Sequence, residues 1–473
     1  MKLSVRIARR WLYGLLCLAT IGLSSFNLSD KKLNSSISAD DFYRGANLYD
    51  KALKHFFVSE QFIMYRYYNP FEQVRGGEKA SVWMYTSAIE ATNSLLRALY
   101  KHKDSISIRK VAYYEGLLEK LYDNAAYYLG TFTYTSFTQT KEWTVYAVNR
   151  AEEKGKANVT GILNVYDDQM WLVRELLESY DLTQNSKYLE QAEYLTAYVL
   201  DGWDATRDEE GNEHGGISWG PGYVTKHACS NGPMISALVW LHELYKKKND
   251  KVVYRYIDSR DRKTRKVKKL LKRDYYLMFA KKIYHWQKRH LLNDQGVYWD
   301  MMGQCAPDCQ IRYEEVGGQR YRGHTQLLKA TGKPYSYNSG TMLSGAVDLY
   351  RATKQKDYLD DAKALAKASF LYFAKADKQL KGYYSFPTDG FNNWFHTVLL
   401  KGYTALLPYD PSVLTYVQAF RANLNYAYSN YYKDGILPRD LLGGWDKDSR
   451  KNNVEGMFMF SYVTQYALFA TYL

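Results

Sequence analysis

A segment of about twenty residues occurs twice in the chain with its landmark side chains in register. SYDLTQNSKYLEQAEYLTAYV begins at Ser179, and LYRATKQKDYLDDAKALAKAS begins at Leu349, 170 positions later. The shared landmarks are Tyr180, Thr183, Tyr188, Ala192 and Leu195 in the first copy, and Tyr350, Thr353, Tyr358, Ala362 and Leu365 in the second. Their apolar positions recur at i, i+4 and i+7, which is helical spacing, and a short polar turn divides each copy. Repeated helical hairpins stack and bury a shared core.

A third copy is interrupted. Tyr245 corresponds to Tyr180, and Tyr276 corresponds to Tyr188, but the interval is 31 residues instead of 8. The strongly basic segment 251–273 accounts for the extra length. We therefore predict a surface insertion, at about residues 250–274, in a turn between two helices.

The repeat pattern predicts an all-α fold, because alternation typical of strands is scarce. An open solenoid and a closed ring of hairpins both satisfy the pattern. A single unit of about 430 residues, rich in aromatic side chains, favours the closed ring with a central cleft. We expect one domain over residues 42–473, with no second domain.

The N-terminus reads as an export signal. A basic start with Arg9 and Arg10 precedes the short apolar stretch 11–23, and small residues follow. The stretch is short for a stable membrane span, although an uncleaved signal anchor remains an alternative. We assign residues 1–25 to a signal peptide or signal anchor and residues 26–41 to a polar linker, and we expect a secreted or cell-surface protein.

The net charge of +14 is concentrated in one place. Residues 251–273 hold eleven Lys or Arg against Asp258 and Asp261, a local charge of +9. A solvated charged surface explains this segment most simply. Contact with an anionic polymer, such as a phosphorylated cell-surface glycan, is the functional alternative. Export argues against nucleic acid as a partner.

Cysteine usage excludes a disulfide-built scaffold and a zinc motif. After removal of a signal, Cys229, Cys305 and Cys309 remain. Cys305 and Cys309 close a short loop and are able to pair, which would leave Cys229 as a lone buried thiol. No zinc-spaced Cys and His cluster is present in the sequence. We expect neither a metal nor a cofactor.

Two adjacent aspartates, Asp167 and Asp168, stand at the start of a helix in NVYDDQMW, without Lys or Arg nearby. A helix cap would explain one carboxylate but not both. Two close carboxylates raise the pKa of one of them, and a glycosidase needs one protonated and one ionised carboxyl. The pair Asp360-Asp361, in contrast, lies mid-helix among lysines and needs no function.

The run NVYDDQMWLVRELLESYDLTQNSKYLEQA resembles the catalytic region of glycoside hydrolase family 76, the endo-α-1,6-mannanases. Further segments resemble the family in the same order over roughly residues 80–405: VWMYTSAIEATNSLL, GGISW, KHACSNGPMISALVWLHELY, GVYWD and YNSG. YNSG replaces the more usual YNQG, His396 stands where the family often has lysine, and the basic insertion is not typical. The resemblance implies an (α/α)6 barrel and a retaining mechanism, with Asp167 as nucleophile and Asp168 as general acid/base.

Other candidate substrate contacts rest on residue type and position. Trp219, Tyr166 and Trp83 are potential platforms for stacking on sugars, and core packing is the alternative for each. Asn231 and Asn338 each lie close to a glycine, so a role in a turn competes with hydrogen bonding to sugar hydroxyls. His396 is a candidate to line the cleft.

Three functions fit these observations. The first is an exported hydrolase that cuts α-1,6-linked mannose backbones internally, acting as a monomer on α-mannan or a related cell-surface polysaccharide. The second is a cell-wall transglycosylase on the same fold, which needs the same two aspartates. The third is a non-catalytic glycan-binding protein, against which the intact Asp167-Asp168 pair argues.

Overall fold

The computed structural model describes residues 29–101 and 105–473. Twelve α-helices and sixteen short strands lie in this part of the chain. The helices are α1 (Ser29–Phe56), α2 (Val82–Lys101), α3 (Ser105–Ala125), α4 (Tyr166–Thr183), α5 (Ser186–Asp201), α6 (Gly232–Tyr245), α7 (Lys272–Leu291), α8 (Ser336–Thr353), α9 (Lys356–Phe373), α10 (Asn392–Leu406), α11 (Leu414–Tyr431) and α12 (Gly456–Tyr472).

The strands form seven sheets of two or three strands each in the described residues. They are β1 (Phe57–Val58), β2 (Ile63–Met64), β3 (Tyr67–Asn69), β4 (Val74–Arg75), β5 (Leu129–Thr135), β6 (Thr140–Tyr146), β7 (Lys226–His227), β8 (Lys251–Ile257), β9 (Arg265–Leu271), β10 (Met301–Ala306), β11 (Tyr313–Val316), β12 (Gln319–Arg322), β13 (Gln326–Thr331), β14 (Lys375–Ala376), β15 (Tyr384–Ser385) and β16 (Val454–Glu455).

The expectation of an all-α chain therefore holds only in its coarse form. Helices dominate, but the segments between them pair into hairpins such as β5–β6, in which Thr131 lies opposite Thr144. Side chains alternate between the two faces of these strands. Trp143 and Val145 lie on the same face of β6, and both are buried. This alternation was too short to stand out beside the helical repeat.

The predicted repeat is present as helical hairpins. Helix α4 ends at Thr183 and α5 begins at Ser186, while α8 ends at Thr353 and α9 begins at Lys356, so both boundaries shift by the same 170 positions. The residue after each first helix is left-handed, with φ of 58° at Gln184 and 60° at Lys354. Its backbone N–H closes the last turn on the carbonyl of Tyr180 or Tyr350, as a left-handed C-terminal cap does.

The even-numbered helices contact one another in sequence. Helix α2 packs on α4, α4 on α6, α6 on α8, α8 on α10 and α10 on α12, and α12 packs on α2. Odd-numbered helices pack beside their even-numbered neighbours, as α5 does on α4 and α9 on α8. The N-terminal ends of α4 and α8 carry the Asp167-Asp168 pair and Asn338.

The basic insertion lies between α6 and α7, in the predicted helix–helix turn. It forms the antiparallel hairpin β8–β9, in which Lys251 pairs with Leu271 and Ile257 with Arg265. The hairpin is anchored, because the Arg207 guanidinium donates to the Ile257 carbonyl at 2.7 Å and the Arg265 guanidinium donates to the Phe137 carbonyl at 3.1 Å. Most of its other basic side chains face solvent.

The N-terminal boundary differs from the expected linker. Helix α1 begins at Ser29, so residues 29–41 of the predicted linker are helical. Asp41 is fully buried and forms an ion pair with Arg421 at 2.9 Å, which attaches this end of the helix to α11. The predicted signal, residues 1–25, lies outside the described residues.

Within residues 29–101 and 105–473, none of the helices combines the length and apolar character that crossing a membrane requires.

The cysteines are arranged as the sequence allowed. Cys305 and Cys309 form a disulfide at the end of β10. Cys229 is free and buried, just before α6. Its position beside the aspartate pair gives it a role that the sequence did not indicate.

Candidate active site

The paired aspartates lie in the first turn of α4. Val165 precedes the helix in an extended conformation and contributes no side-chain cap. The Tyr166 N–H donates to the Trp219 carbonyl at 2.8 Å, so the loop before α6 is attached to the start of α4. This contact brings residues fifty positions apart to the same carboxylates.

Asp167 is more exposed to solvent than Asp168 and accepts more hydrogen bonds. Its carboxylate is half-buried and accepts hydrogen bonds from the Trp219 indole N–H, the Cys229 thiol, and the backbone N–H groups of Asp167 and Asp168. Burial raises the pKa of Asp167 to about 6, and each of these donors opposes the rise because it stabilises the charged form. Asp167 is therefore ionised near neutral pH.

Asp168 has a different environment. Its side chain is only 6 % exposed. Burial first, and then repulsion by the charge on Asp167, raise the pKa of Asp168 well above its usual range. The environments of the two neighbouring carboxyls thus drive their pKa values apart.

Cys229 and Tyr337 form a chain of hydrogen bonds that ends on the Asp167 carboxylate. Burial raises the pKa of the Cys229 thiol well above its usual range, so the thiol keeps its proton and donates it in a hydrogen bond to Asp167. The Tyr337 hydroxyl in turn donates to the Cys229 sulfur. Tyr337 is itself held by stacking on Phe395, with ring centroids 4.2 Å apart. Sequence reasoning missed both residues, since a lone cysteine and a helical tyrosine carry no distinctive spacing.

A third carboxyl, Asp300, also lies in this region. The Asp300 carbonyl accepts from the Ala228 N–H at 2.7 Å, next to Cys229 in the chain. Burial raises the pKa of Asp300 to about 6, and the neighbouring Asn338 side chain opposes the rise. Asn338 is fully buried in the first turn of α8. The structure thus brings Asn338 beside Asp300, which acts electrostatically on Cys229. The contact of Asn338 with sugar stays a prediction. Asp300 ends the GVYWD segment, which was the available signal for it.

Trp219 contacts the pair directly. Its indole Nε1 lies 3.2 Å from Oδ1 of Asp167. His227 stacks on the ring, with centroids 4.8 Å apart. The His227 imidazole is neutral at physiological pH because burial lowers its pKa to about 4. Trp219 is therefore a partner of the carboxylate in this structure, and its stacking on a sugar stays a prediction.

Two predicted substrate contacts are enclosed by the protein in this structure, and their contact with sugar stays a prediction. Tyr166 is fully buried and packs on Tyr198, with ring centroids 5.0 Å apart. A side chain at Gly202 would approach the Tyr166 ring within 2.6 Å, which shows how tightly the ring is enclosed. Asn231 is also fully buried, and its amide bonds both the N–H and the carbonyl of Ile217, each at 2.9 Å. It holds the loop before α6 in place.

His396 is likewise engaged by the protein. Its Nδ1 lies 2.8 Å from the Ser336 hydroxyl and its Nε2 lies 2.8 Å from the Pro387 carbonyl. Burial lowers the pKa of His396 to about 4, so the ring is neutral at physiological pH. Its contact with sugar stays a prediction. Trp83 is half-buried among aromatic rings, 4.8 Å from Phe391 between centroids. Its predicted role in stacking stays a prediction.

Asp204, His214 and His324 have potential ligand atoms within 4.8 Å of one another. The Lys226 ammonium, however, donates to Oδ2 of Asp204 at 2.8 Å. His324 Nδ1 lies 2.8 Å from the same oxygen. The ammonium beside Asp204 lowers the pKa of that buried carboxyl far below its usual range. The protein thus supplies a cation of its own at this carboxylate, which fits a structural ion pair better than a metal site.

Comparison with known proteins identifies the family. The model of glycosyl hydrolase family 76 matches residues 78–253 and 266–409, about two thirds of the chain. Both aspartates lie inside the match, and the tip of the β8–β9 hairpin lies outside it. No curated protein matches the chain.

Solved structures share the fold at low identity. A family 76 mannosidase from Bacteroides thetaiotaomicron is 20 % identical, with a TM-score of 0.65 over 91 % of this chain and 98 % of its own. The α-1,6-mannanase of Salegentibacter is 19 % identical, with a TM-score of 0.58 over 92 % of this chain and 100 % of its own. An inactive form of that mannanase, with two adjacent aspartates replaced by asparagine, is similar to the same extent and was solved with α-1,6-mannotriose. On the family match, with the fold in agreement, the chain belongs to glycosyl hydrolase family 76.

Proposed function

We propose that this protein is a retaining endo-α-1,6-mannanase in which Asp167 is the nucleophile and Asp168 the general acid/base. The observation that carries the proposal is the unequal environment of the two carboxyls. Asp167 accepts four hydrogen bonds that favour its charged form, whereas the pKa of Asp168 is raised by burial and by the charge on Asp167. Two carboxyls whose pKa values are driven apart are suited to acid and nucleophile roles.

The reaction would proceed in two displacements. The Asp167 carboxylate attacks the anomeric carbon while Asp168 gives its proton to the departing glycosidic oxygen. A glycosyl ester on Asp167 results, and Asp168 is left ionised. Asp168 then takes a proton from water, the water oxygen attacks the anomeric carbon, and the Asp167 carboxylate is released.

We infer a closed (α/α)6 barrel as the frame of this site. The contacts among even-numbered helices return from α12 to α2, which supports an inner ring of six helices. In such a ring the starts of α4 and α8, which carry the aspartate pair and Asn338, would face one central cleft. Trp219, Trp83 and Asn338 are the proposed contacts with mannose units.

The proposed substrate is an α-1,6-linked mannan outside the cell. An α-1,6-mannotriose complex of the Salegentibacter relative supports the linkage. The basic, apolar N-terminal segment supports export. The charged β8–β9 hairpin supports a role in holding an anionic form of the glycan.

Product analysis on linear α-1,6-mannan tests the proposal. Shorter soluble oligosaccharides that keep the α-anomeric configuration in the first turnover are the expected products, as followed by proton NMR. Inversion at the anomeric carbon would contradict the assignment of Asp167 as nucleophile. Elongated chains would identify a transglycosylase, and an unchanged mannan that still binds would identify a glycan-binding protein.

A further inference from the structure

A large cavity lies at the end of the even-numbered helices opposite Asp167 and Asp168. It has a volume of about 620 Å³ and is lined by the later turns of α2, α4, α6, α8, α10 and α12. On α4 the lining runs from Arg174 to Asp181, which places it about 10–20 Å along the helix from the aspartate pair. The cavity is therefore separate from the proposed catalytic site.

One basic group in the cavity wall is only partly bonded. Arg174 is 6 % exposed, and its single hydrogen bond in the described part of the chain goes from one Nη to the Pro233 carbonyl at 3.1 Å. The neighbouring carboxylates have other partners: Glu175 lies 3.6 Å from Lys401, and Asp348 lies 3.0 Å from Arg351. A guanidinium has five N–H donors, so Arg174 has donors left for a ligand.

Aromatic rings form another part of the wall. Trp240 is half-buried, and the Arg174 guanidinium lies 5.2 Å above its ring. The Trp240 indole N–H is fixed by Asp348 at 3.0 Å, which holds the ring in one orientation. Tyr180 and Tyr409 also line the cavity, and both are half-buried. Rings with an apolar face and a wet edge are suited to the faces of sugar rings.

The charge balance of the lining side chains favours a neutral ligand over a strongly ionic one. Four basic and five acidic side chains line the cavity, so their charges almost cancel. The last carbonyl groups of each helix are free of partners within the helix and are acceptors for hydroxyl groups. Helix C-terminal ends also disfavour an anion. A neutral ligand with many hydroxyl groups would accept hydrogen bonds from Arg174 and donate hydrogen bonds to the helix carbonyls. Its apolar faces would pack on the aromatic rings.

We propose that this cavity is a second, non-catalytic binding site for a neutral oligosaccharide. Its volume is within the range of small-molecule sites, about 300–1,000 Å³. Its mouth is open to solvent, since Asp181, Arg351 and Tyr472 at its edge have exposed side chains. The site would hold a glycan chain at the far end of the molecule from Asp167.

The test uses the full chain with Asp167→Asn, so that α-1,6-mannotriose is not consumed. Calorimetric titration and a crystal structure with the trisaccharide should show sugar against Trp240 and Arg174. Arg174→Gln and Trp240→Phe should each weaken this site about tenfold. Trp445→Phe is the matched control, because Trp445 is also half-buried and its indole N–H bonds the Tyr431 carbonyl at 2.7 Å, outside the cavity.

The outcomes separate this site from the proposed catalytic site. Sugar in the cavity supports the proposal even when no sugar binds at the catalytic pair. In the enzyme that retains Asp167, Arg174→Gln should leave turnover of an aryl mannoside unchanged. An empty cavity at saturating trisaccharide would overturn the proposal. Sulfate or phosphate displacing the sugar at Arg174 would overturn it as well, by identifying an anion site.

Discussion

The indole Nε1 of Trp219 donates to Oδ1 of Asp167 across 3.2 Å, from a loop fifty residues away in the chain. This bond favours the ionised carboxylate, as do the bonds from Cys229 and the backbone. Trp219 therefore acts on the proposed nucleophile through its pKa, in addition to any contact with sugar.

Replacing Trp219 by Phe should move the acid limb of the pH profile. The ring survives, but the carboxylate loses a donor, so the pKa of Asp167 rises above about 6. We expect the acid limb of kcat/KM to shift upward by about one unit. Trp445→Phe, which removes an indole N–H remote from the pair, should leave the profile in place. An unshifted limb in Trp219→Phe would remove Trp219 from this role.

Asp167→Asn should lower kcat on α-1,6-mannan by about 10⁴-fold or more, because an amide cannot form the glycosyl ester. Circular dichroism should show an unchanged fold. Asp360→Asn is the control, since Asp360 belongs to an adjacent pair on an exposed part of α9 and should retain full activity. Near-normal turnover in Asp167→Asn would end the enzymatic interpretation of the pair.

Asp168→Asn should affect leaving groups unequally. Mannan needs a proton on its departing oxygen, whereas an aryl mannoside with an acidic phenol needs little. We therefore expect kcat to fall much further on mannan than on the aryl mannoside, in initial-rate measurements. Equal losses on the two substrates would be incompatible with Asp168 as the general acid.

Asp168→Asn should also stabilise the protein at neutral pH. Because the folded-state pKa of Asp168 is raised, the unfolded state loses its proton first, and stability falls as pH rises above about 4. The variant should melt at a higher temperature than the native protein at pH 7, and the difference should shrink towards pH 4. A variant that melts lower at pH 7 would indicate that the carboxyl serves as a helix cap.

Lys226→Met tests the ion pair behind the site. Removing the ammonium leaves the buried Asp204 carboxylate without its lysine partner. We therefore expect the free energy of unfolding, measured by urea denaturation, to fall by about 3–5 kcal/mol. The folded-state pKa of Asp204 is depressed, so this loss should be full above about pH 4 and should diminish in acid. Lys333→Met, which breaks an exposed pair with Asp389, should cost less than about 1 kcal/mol.

Charge removal on the hairpin should weaken binding to a phosphorylated mannan. Lys268→Ala with Lys269→Ala should reduce affinity about five- to thirtyfold at low salt, and added salt should narrow the difference. Lys363→Ala with Lys367→Ala on α9 removes the same charge elsewhere and should have little effect. Turnover of a neutral aryl mannoside should be unchanged in both variants, and a loss in the first would contradict a purely electrostatic role.

The sequence predicted those parts of the fold that repeat locally. The 170-residue shift located the ends of α4 and α8, because Thr183 and Thr353 stand before equivalent left-handed caps. The interrupted third copy located the insertion, and Tyr245 does end its helix. The sequence pattern could not predict that the insertion forms two paired strands, nor that Arg207 anchors them through the Ile257 carbonyl.

At the site, the sequence predicted the adjacent carboxyls but not their surroundings. Trp219 and Cys229 approach Asp167 only through tertiary contacts, such as the bond between the Tyr166 N–H and the Trp219 carbonyl. The burial of Tyr166 could not be predicted for the same reason, because it depends on packing against Tyr198. Residue type alone does not distinguish an enclosed ring from a stacking platform.

The position of the β8–β9 hairpin has a practical consequence for protein engineering. Its two strands pair with each other from Lys251–Leu271 to Ile257–Arg265, so the chain leaves and re-enters the molecule at adjacent points. Lengthening a loop whose ends are already close costs little free energy. The exposed turn at 258–264 is therefore a suitable site to insert an epitope tag or a fluorescent reporter.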